Sequence, residues 1–579
     1  MADGAQKVHT YEFLYYPSTI HYLTNRGLTV TPENYARAVI SLSRRYSNTS
    51  AFPGNNYVAI AEWMLQDRSI FNPEKLENAR LFASKAEQPH DLVVVYNSRE
   101  GKWDVQHYSQ EQHEDFSVAT SVPAGAGQIV FIRGFLSPLW VSAIGSKYRI
   151  DPEFFRRHMD FLSVGIIRHS YSLPSLASTS NNIFRLCVST LLHRDDFGGQ
   201  DLQSQRSDQS SELKIYRRVQ LGSSRVCCGD SLVREYSTVC SRFSVVEQWI
   251  SFCVTRTDQG WAVIAWMDQG RPLEKSPPGP WISHIKSMAT PMPVLQHHPK
   301  MAFRTTTNRL DPNANASAEV FQSTAVLPLQ YDSLIALVDL ARLAPHDPLS
   351  MCIPLFAHAA FSEVQFLNLM ECKIQEWVNQ IAEGVPAELL GSLQYFSSIL
   401  NRHSQQLKDS SHALSKLAEW SPEVLNGQTQ IRISPPRPGV GTRWNTPEFG
   451  SVRHTGSRGS FTAQGLLHDY EQLHDRCISL SKTCTRGITL AMNKATIEES
   501  RKAIEQSERL KKLTLLATLF IPLTFCSSLL GMNVDLLGQN SVKFWWFFVF
   551  VPEVLKVKFD PLPFCVIWVF VSVRTSHWK

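Results

Sequence analysis

Eighteen consecutive uncharged residues, Leu513 to Leu530, run directly into the tripeptide Gly531-Met532-Asn533. At about 1.5 Å per residue, a helix of this length is about 27 Å long, close to the ~30 Å hydrocarbon thickness of a bilayer. The stretch therefore predicts a membrane-spanning helix. Basic residues crowd its entrance, which the positive-inside rule places on the cytoplasmic face: Arg501, Lys502, Arg509, Lys511 and Lys512.

Composition predicts that most of the remaining chain is soluble. The 579 residues suffice for two or three domains, and 43% are hydrophobic while 19% are charged. The net charge of +5 without a dense basic run gives no reason to propose nucleic-acid binding. The eleven cysteines lack CxxC pairs and are interpreted as reduced thiols. The first sixteen residues resemble neither a secretory signal nor a transit peptide, which favours a cytosolic bulk and disfavours mitochondria relative to the plasma membrane or vacuole.

The region before residue 350 mixes short strands with helices and predicts an α+β cytosolic domain. Two apolar runs, Ile250 to Thr255 and Trp261 to Met267, are joined around Asp258-Gln259-Gly260 and predict a hairpin. Runs rich in β-branched or aromatic residues predict further strands, at 92–96, 128–135, 184–191 and 213–221. Polar stretches without apolar spacing predict surface loops at 194–212 and 300–317.

After Pro354 the apolar residues recur at helical spacing, with a break at Gly384-Val385-Pro386. A helix starting near Thr462 meets no breaker between Ala495 and Leu516 and should continue unbroken into the apolar stretch. The predicted organisation has nine parts: an N-terminal segment (1–33), the α+β domain (34–350), a helical region (351–420), a disordered loop (421–461), a stalk helix (462–512), a first membrane helix (513–530), an external loop (531–543), an atypical second membrane region (544–573) and a tail (574–579).

The end of the first apolar stretch carries a family resemblance. Pro522-Leu523-Thr524-Phe525 followed by Gly-Met-Asn resembles the pore helix of CorA-like magnesium transporters with two membrane helices. The resemblance implies a homo-oligomer, a pentamer in that family, whose pore is lined by five such helices in a lipid bilayer. It also implies a selectivity filter at Gly531, Met532 and Asn533, and a pore lined by Thr524, Ile521 and Leu513.

Two shorter motifs, residues 133–140 and 151–161, resemble the soluble domain of CorA-like proteins of filamentous fungi. Asp151 is a predicted helix N-cap with Pro152 at the first helical position. Arg156, Arg157 and His158 admit two interpretations: an anion-binding or catalytic cluster, or a helix surface paired with local carboxylates. The second is favoured.

The implied cargo is Mg²⁺, with Co²⁺ or Ni²⁺ as further candidates, and no cofactor is implied. Mg²⁺ dehydrates reluctantly, so a ring of Asn533 side chains would recognise its water shell rather than the bare ion. Apolar Ile521 and Leu513 would form a constriction that closes by dewetting. The membrane potential suffices as a driving force, because a divalent ion gains about 4.6 kcal/mol per 100 mV on moving inward.

Three departures from the family pattern leave a second interpretation open, a non-transporting membrane-anchored scaffold or regulatory protein. The external loop offers only Asp535 to attract cations. The stalk carries glutamates at 498, 499, 505 and 508, but no magnesium sensor can be assigned among them. The second membrane region, 544–573, contains four charges, and burying each would cost a few kcal/mol: Glu553, Lys556, Lys558 and Asp560.

Motifs for other chemistries are not visible in the sequence. His297-His298 and the pair His468 and His474 have spacings that create no shared ligand face, so no metal site is assigned. Neither a serine-histidine-acid arrangement nor a glycine-rich phosphate loop stands out. We therefore predict that the protein is not an enzyme.

Overall fold

The structure is a computed structural model. It describes residues 30–45, 55–66, 91–99, 102–119, 127–163, 182–194, 201–221, 226–257, 260–282, 289–295, 348–383, 387–419 and 463–531. The chain divides into two compact units, Met1–Ile488 and Thr489–Lys579. Within the first unit, a sheet, a layer of short helices and a set of long helices are described.

An eight-stranded sheet organises the first unit. Its strands are β1 (Asp91–Arg99), β2 (Lys102–Ser109), β3 (Gly127–Arg133), β4 (Ile183–His193), β5 (Glu235–Thr238), β6 (Phe243–Thr257), β7 (Gly260–Met267) and β8 (Thr290–Pro291). Seven strands follow the order β2-β1-β3-β7-β6-β4-β8, and the eighth strand, β5, pairs with β6. Strands β3 and β7 are parallel, and the other pairs are antiparallel.

Nine α-helices are described. Six shorter ones are α1 (Pro32–Arg45), α2 (Asn55–Gln66), α3 (His113–Val118), α4 (Pro138–Lys147), α5 (Pro152–His158) and α6 (Leu202–Ile215). The three long ones are α7 (Pro348–Glu383), α8 (Ala387–Glu419) and α9 (Ala463–Gly531). The predicted fold class is therefore confirmed as far as an α+β domain followed by long helices.

The predicted hairpin is confirmed and forms the centre of the sheet. Strands β6 and β7 pair in register from Ile250 opposite Met267 to Thr257 opposite Gly260. Strand β7 is buried along nearly its whole length because β3 flanks its other edge and helices cover it. This position makes its apolar run, Ala262 to Met267, part of the core.

Aromatic side chains fill the core between the sheet and the short helices. Trp266 on β7 packs against Phe154 and Phe155 of α5, and Tyr35 of α1 reaches Phe155 edge-on. The predicted cap of α5 is confirmed, since the Asp151 carboxylate accepts a 2.9 Å hydrogen bond from the Glu153 amide. Capping fixes where α5 begins and so which of its side chains face the sheet.

The long helices pack on one another within the first unit. Near the start of α9, the Tyr470 hydroxyl donates a 2.9 Å hydrogen bond to the Phe356 carbonyl of α7. One residue before the end of this unit, Gly487 lies so close to α7 and α8 that an added Cβ would come within 3.0 Å of Leu393 and 3.3 Å of Val378. Glycine at this position permits the close approach of α9 to its neighbours.

Two local predictions are wrong. Residues 213–221 are not a strand: α6 ends at Ile215 and a π-helical turn, Tyr216–Leu221, follows it. The polar stretch 194–212 is not wholly a loop, because α6 begins at Leu202 after the Asp201 side chain caps the Gln203 and Ser204 amides. In the first case Leu213 and Tyr216 are buried against the core, and tertiary packing outweighs local β-propensity.

The long α9 helix confirms the prediction of an unbroken helix from the stalk through residue 530. It contains 69 residues and includes Pro522 in its interior. The loops predicted at 300–317 and 421–461, the external loop beyond Gly531 and the second membrane region lie outside the described residues.

Candidate functional site

The predicted pore-lining residues lie on the C-terminal part of α9. At about 100° per residue, Thr524 projects only about 20° from Leu513 around the helix axis, and Ile521 about 80°. All three side chains are exposed, Leu513 and Ile521 by 67% each. The helix therefore presents the three residues on one side, with the hydroxyl nearest its C-terminal end.

The Thr524 hydroxyl is engaged by its own helix. It donates to the Phe520 carbonyl at 2.5 Å. The carbonyl that Pro522 leaves without an N–H donor is that of Thr518, four residues earlier. Thr524 therefore does not donate to the carbonyl that Pro522 leaves without a partner.

The predicted filter lies at the limit of the described chain. Gly531 is the last residue of α9. Met532, Asn533 and the cation-attracting candidate Asp535 lie outside the described residues, as do the side chains of Cys526, Leu529 and Leu530 inside the predicted first membrane helix. Among the residues that the structure describes, we find no helix that combines the length and the apolarity needed to cross a bilayer. The membrane helix at 513–530 is helical as predicted, but its membrane location is not confirmed.

The stalk glutamates lie along the exposed surface of α9. Glu505 pairs with Arg501 at 3.5 Å, one turn away. Within the described parts of the chain, no group of three or more histidines, cysteines or acidic residues is arranged to hold a metal ion. The residues 498, 499, 505 and 508 therefore form no ligand cluster within a single chain.

A buried Ser–His–Asp string in the first unit was not found from the sequence. His158 of α5 lies with Nδ1 2.8 Å from the Ser251 hydroxyl on β6 and Nε2 3.0 Å from Oδ1 of Asp268, just after β7. Trp266 stacks on the imidazole ring with a centroid separation of 3.9 Å. The three residue types are those of a hydrolytic triad, but the ring nitrogens are exchanged, because in a triad Nε2 contacts the serine and Nδ1 the carboxylate.

Because its three residues are buried, this Ser–His–Asp string has a structural role. Ser251 is 3% exposed, and His158 and Asp268 are fully buried. Both Asp268 oxygens accept hydrogen bonds from Arg234 at 2.7 Å, and one also accepts from the Trp249 amide at 2.6 Å. Arg234 and His158 hold the pKa of Asp268 at about 2 against the opposing effect of burial, while burial lowers the pKa of His158 to about 4. A neutral histidine beside a paired carboxylate, with a serine that substrate cannot reach, anchors α5 to the sheet.

The three basic residues at the end of α5 thus have two different roles. Arg156 and Arg157 both pair with Glu153 on their own helix, at 2.6 and 2.7 Å, which confirms the favoured interpretation of local carboxylate pairing. His158 is different because its partner, Asp268, is distant in sequence. Two polar residues within the apolar-rich strand β6, Glu247 and Ser251, are the signal that could have indicated buried partners.

Comparison with known proteins supports the family resemblance. Residues 455–552 match the family of CorA-like Mg²⁺ transporter proteins, and the resemblance is confirmed over that segment. No curated protein matches the chain. A similar solved structure is the complete structure of the CorA magnesium transporter from Methanocaldococcus jannaschii, with 11% sequence identity, coverage of 68% of this chain and 99% of that chain, and a TM-score of 0.23.

Proposed function

We propose that this chain, which carries a CorA-like Mg²⁺ transporter segment over residues 455–552, is a channel that conducts hydrated Mg²⁺ down the membrane potential. The observation that carries the proposal is the position of the match. It covers all of α9 and continues through Gly531-Met532-Asn533, so the helix and the motif that would form the pore belong to the same matched segment.

The proposed conduction path follows the exposed face of α9 that holds Leu513, Ile521 and Thr524. Asn533 would form the entrance ring and hydrogen-bond to the water shell of Mg²⁺, which the ion gives up reluctantly. Ile521 and Leu513 would narrow the path with apolar side chains, so that loss of water closes it. Asp535 would attract cations to the entrance, and Co²⁺ or Ni²⁺ would be further cargoes.

We propose that the channel is a homo-oligomer, a pentamer as the family implies. A stripe of exposed apolar residues on α9 supports this assembly: Leu490, Ile497 and Ile504 recur every seven residues and are 55%, 68% and 61% exposed. Seven-residue spacing keeps side chains on one side of a helix and suits packing against an identical helix. Ser500 lies between Ile497 and Ile504 and, with them, lines a shallow groove that a partner's side chain could fill.

The proposed location is a membrane of the plasma membrane or vacuole type, with the α+β domain in the cytosol. Residues 513–530 would form the first span and 544–573 the second. Five basic residues between 501 and 512 place the entrance of the first span on the cytoplasmic side.

The second candidate function is a non-transporting scaffold or regulatory protein. Four charged residues between 553 and 560 favour it, because they interrupt the second span and weaken the outer layer of helices around a pore. The two functions differ in whether the protein, once inserted, moves Mg²⁺.

The test is Mg²⁺ uptake by cells that lack their own magnesium transporters. We expect the wild-type chain to restore uptake and Asn533→Ala to abolish at least nine-tenths of it at matched membrane expression, because the filter loses its amide. Asn540→Ala, an asparagine in the same predicted loop, is the matched control and should retain uptake.

Inserted wild-type protein without uptake would contradict the channel and favour the scaffold. Equal loss in Asn533→Ala and Asn540→Ala would contradict the assignment of the filter to Asn533.

A further inference from the structure

A second buried histidine, His403, joins three elements of the first unit. It lies on α8, is fully buried and has a carboxylate on each side of its ring. Nδ1 is 3.0 Å from both oxygens of Glu363 on α7, and Nε2 is 3.3 Å from Oε1 of Glu247 on β6. Phe366 of α7 stacks on the ring at a centroid distance of 4.0 Å. The imidazole is therefore a point at which α7 and α8 meet each other and the sheet.

The charges around His403 do not balance without a proton. Glu247 and Glu363 carry two negative charges, and Arg402, which pairs with Glu247, carries one positive charge. Three further titratable groups face the glutamates and are uncharged near neutral pH: Cys187 on β4, and Tyr470 and Cys477 on α9. Two charged residues of opposite sign act on outer members of the cluster, Glu235 of β5 on Arg402 and Arg185 of β4 on Cys187. A neutral His403 would leave a net negative charge in the core, whereas a protonated one neutralises it.

The pKa shifts in the cluster agree with this charge balance. Burial by itself would lower the pKa of His403, but the carboxylates of Glu363 and Glu247 outweigh it and raise that pKa to about 9. His403 and Arg402 likewise lower the pKa of Glu247 well below its usual range, against the effect of burial. His403 is thus charged at neutral pH, unlike His158.

A metal ion is the alternative occupant, since histidine and glutamate are common ligands. The geometry disfavours it. Both Glu247 oxygens are already engaged, Oε1 by Arg402 and Oε2 by the Gln406 amide at 3.2 Å. No three-ligand arrangement exists among the described residues. The positive charge that completes this cluster is a proton.

We propose that the Glu247–His403–Glu363 cluster is a proton-dependent latch that holds α7 and α8 against β6 and opens when His403 loses its proton. Deprotonation would leave Glu363 facing a neutral ring and Glu247 with Arg402 alone. The two carboxylates would then repel across the ring, and the contact that joins the helices to the sheet would weaken. The latch lies wholly within the first unit and does not depend on ion transport.

The direction of the pH effect follows from linkage. The pKa of His403 in the folded protein, about 9, lies above the ordinary histidine value of about 6.5. The latch is therefore fully closed below about pH 6.5. The free energy with which it holds α7 and α8 against β6 is lost as the pH rises through about 9. Loss of one proton can raise the opening equilibrium constant by at most about tenfold per pH unit in this window.

The experiment is pulsed hydrogen exchange with mass spectrometry on the full-length protein, with each rate corrected for the intrinsic pH dependence of exchange. We expect peptides around Glu363 and His403 to lose protection by up to about tenfold per pH unit between pH 6.5 and 9. His403→Gln keeps a polar side chain without the charge, and its peptides should exchange fast with no dependence on pH.

Two further variants make the result decisive. Glu363→Gln removes one of the carboxylates that raise the folded-state pKa of His403, so the pH at which protection stops falling should move down by about one unit or more. This expectation holds even if His403→Gln does not fold. His158→Gln is the matched control, a buried histidine that is neutral throughout this pH window, and should keep the wild-type profile. Three results would each overturn the latch: flat wild-type protection, a loss of protection in Glu363→Gln that ends at the wild-type pH, or a lost pH dependence in His158→Gln.

Discussion

At the scale of single residues, the first unit holds two buried histidines in opposite charge states. His158 has one carboxylate neighbour, Asp268, whose charge Arg234 already neutralises through two hydrogen bonds. His403 lies between two carboxylates that share one arginine. Since both rings are fully buried, the count of neighbouring charges, and not exposure, decides which histidine carries a proton.

This difference predicts opposite effects of pH on stability. The pKa of His158 in the fold, about 4, lies below the unfolded value of about 6.5, so between these values the unfolded chain binds the proton and the native protein does not. Stability should therefore fall as the pH drops from 6.5 toward 4, by at most about 1.4 kcal/mol per pH unit from this residue.

His158→Gln should remove that contribution and flatten the acid side of the stability profile, measured by chemical unfolding of the full-length protein. His403→Gln serves as the contrast, because it should flatten the alkaline side instead. An unchanged acid slope in a folded His158→Gln protein would contradict a neutral His158.

At the scale of elements, α9 shows which features of a helix are readable in sequence. Its apolar spacing and lack of breakers predicted an unbroken helix, and the structure has one from Ala463 to Gly531. By contrast, residues 213–221 looked like a strand because of their β-branched and aromatic composition. They form the end of α6 and a π-helical turn because Leu213 and Tyr216 pack into the core there.

The close packing of α9 at Gly487 leads to a test of this element. Gly487→Val should destabilise the first unit by about 1–3 kcal/mol, because its branched side chain would collide with Leu393 and Val378, which an added Cβ already approaches to 3.0 and 3.3 Å. The measurement is thermal unfolding followed by circular dichroism.

Ser479→Val is the matched control, since it places the same branched residue on an exposed position of the same helix. A Gly487→Val protein as stable as this control would show that α7 and α8 move aside at no measurable cost.

At the scale of the whole molecule, the family match and the two compact units cover different parts of the chain. The match begins at residue 455 and ends at 552, whereas the first unit ends at Ile488. The α+β domain and the helices α7 and α8, which together hold the two histidine clusters, therefore lie outside the matched segment. A property of this part of the chain, such as the proposed latch, has to be tested on its own residues.

Assembly belongs to this scale as well. Ile497→Glu should reduce the oligomer to smaller species in size-exclusion chromatography with light scattering, because it places a charge in the middle of the stripe formed by Leu490, Ile497 and Ile504. Met492→Glu changes another exposed apolar residue on the opposite side of α9, 57% exposed against 68% for Ile497, and should leave the oligomer intact. Equal masses for the two variants would exclude the stripe from the interface.

The sequence by itself determined the features that depend on short spans of chain. The β6–β7 hairpin, the Asp151 cap, the long α9 helix and the CorA-like segment each follow from residues within a few turns or one strand pair of one another. Periodicity, capping and turn chemistry act over such distances, so local patterns suffice to predict them.

Only the tertiary structure decided which polar groups meet in the core. Ser251 and Asp268 reach His158 across about a hundred residues of sequence, and Glu247 reaches His403 across more than 150. No local pattern specifies such pairs, because strand order and helix packing set them. The charge of a buried histidine depends on these partners, and therefore emerges only when the fold brings them together.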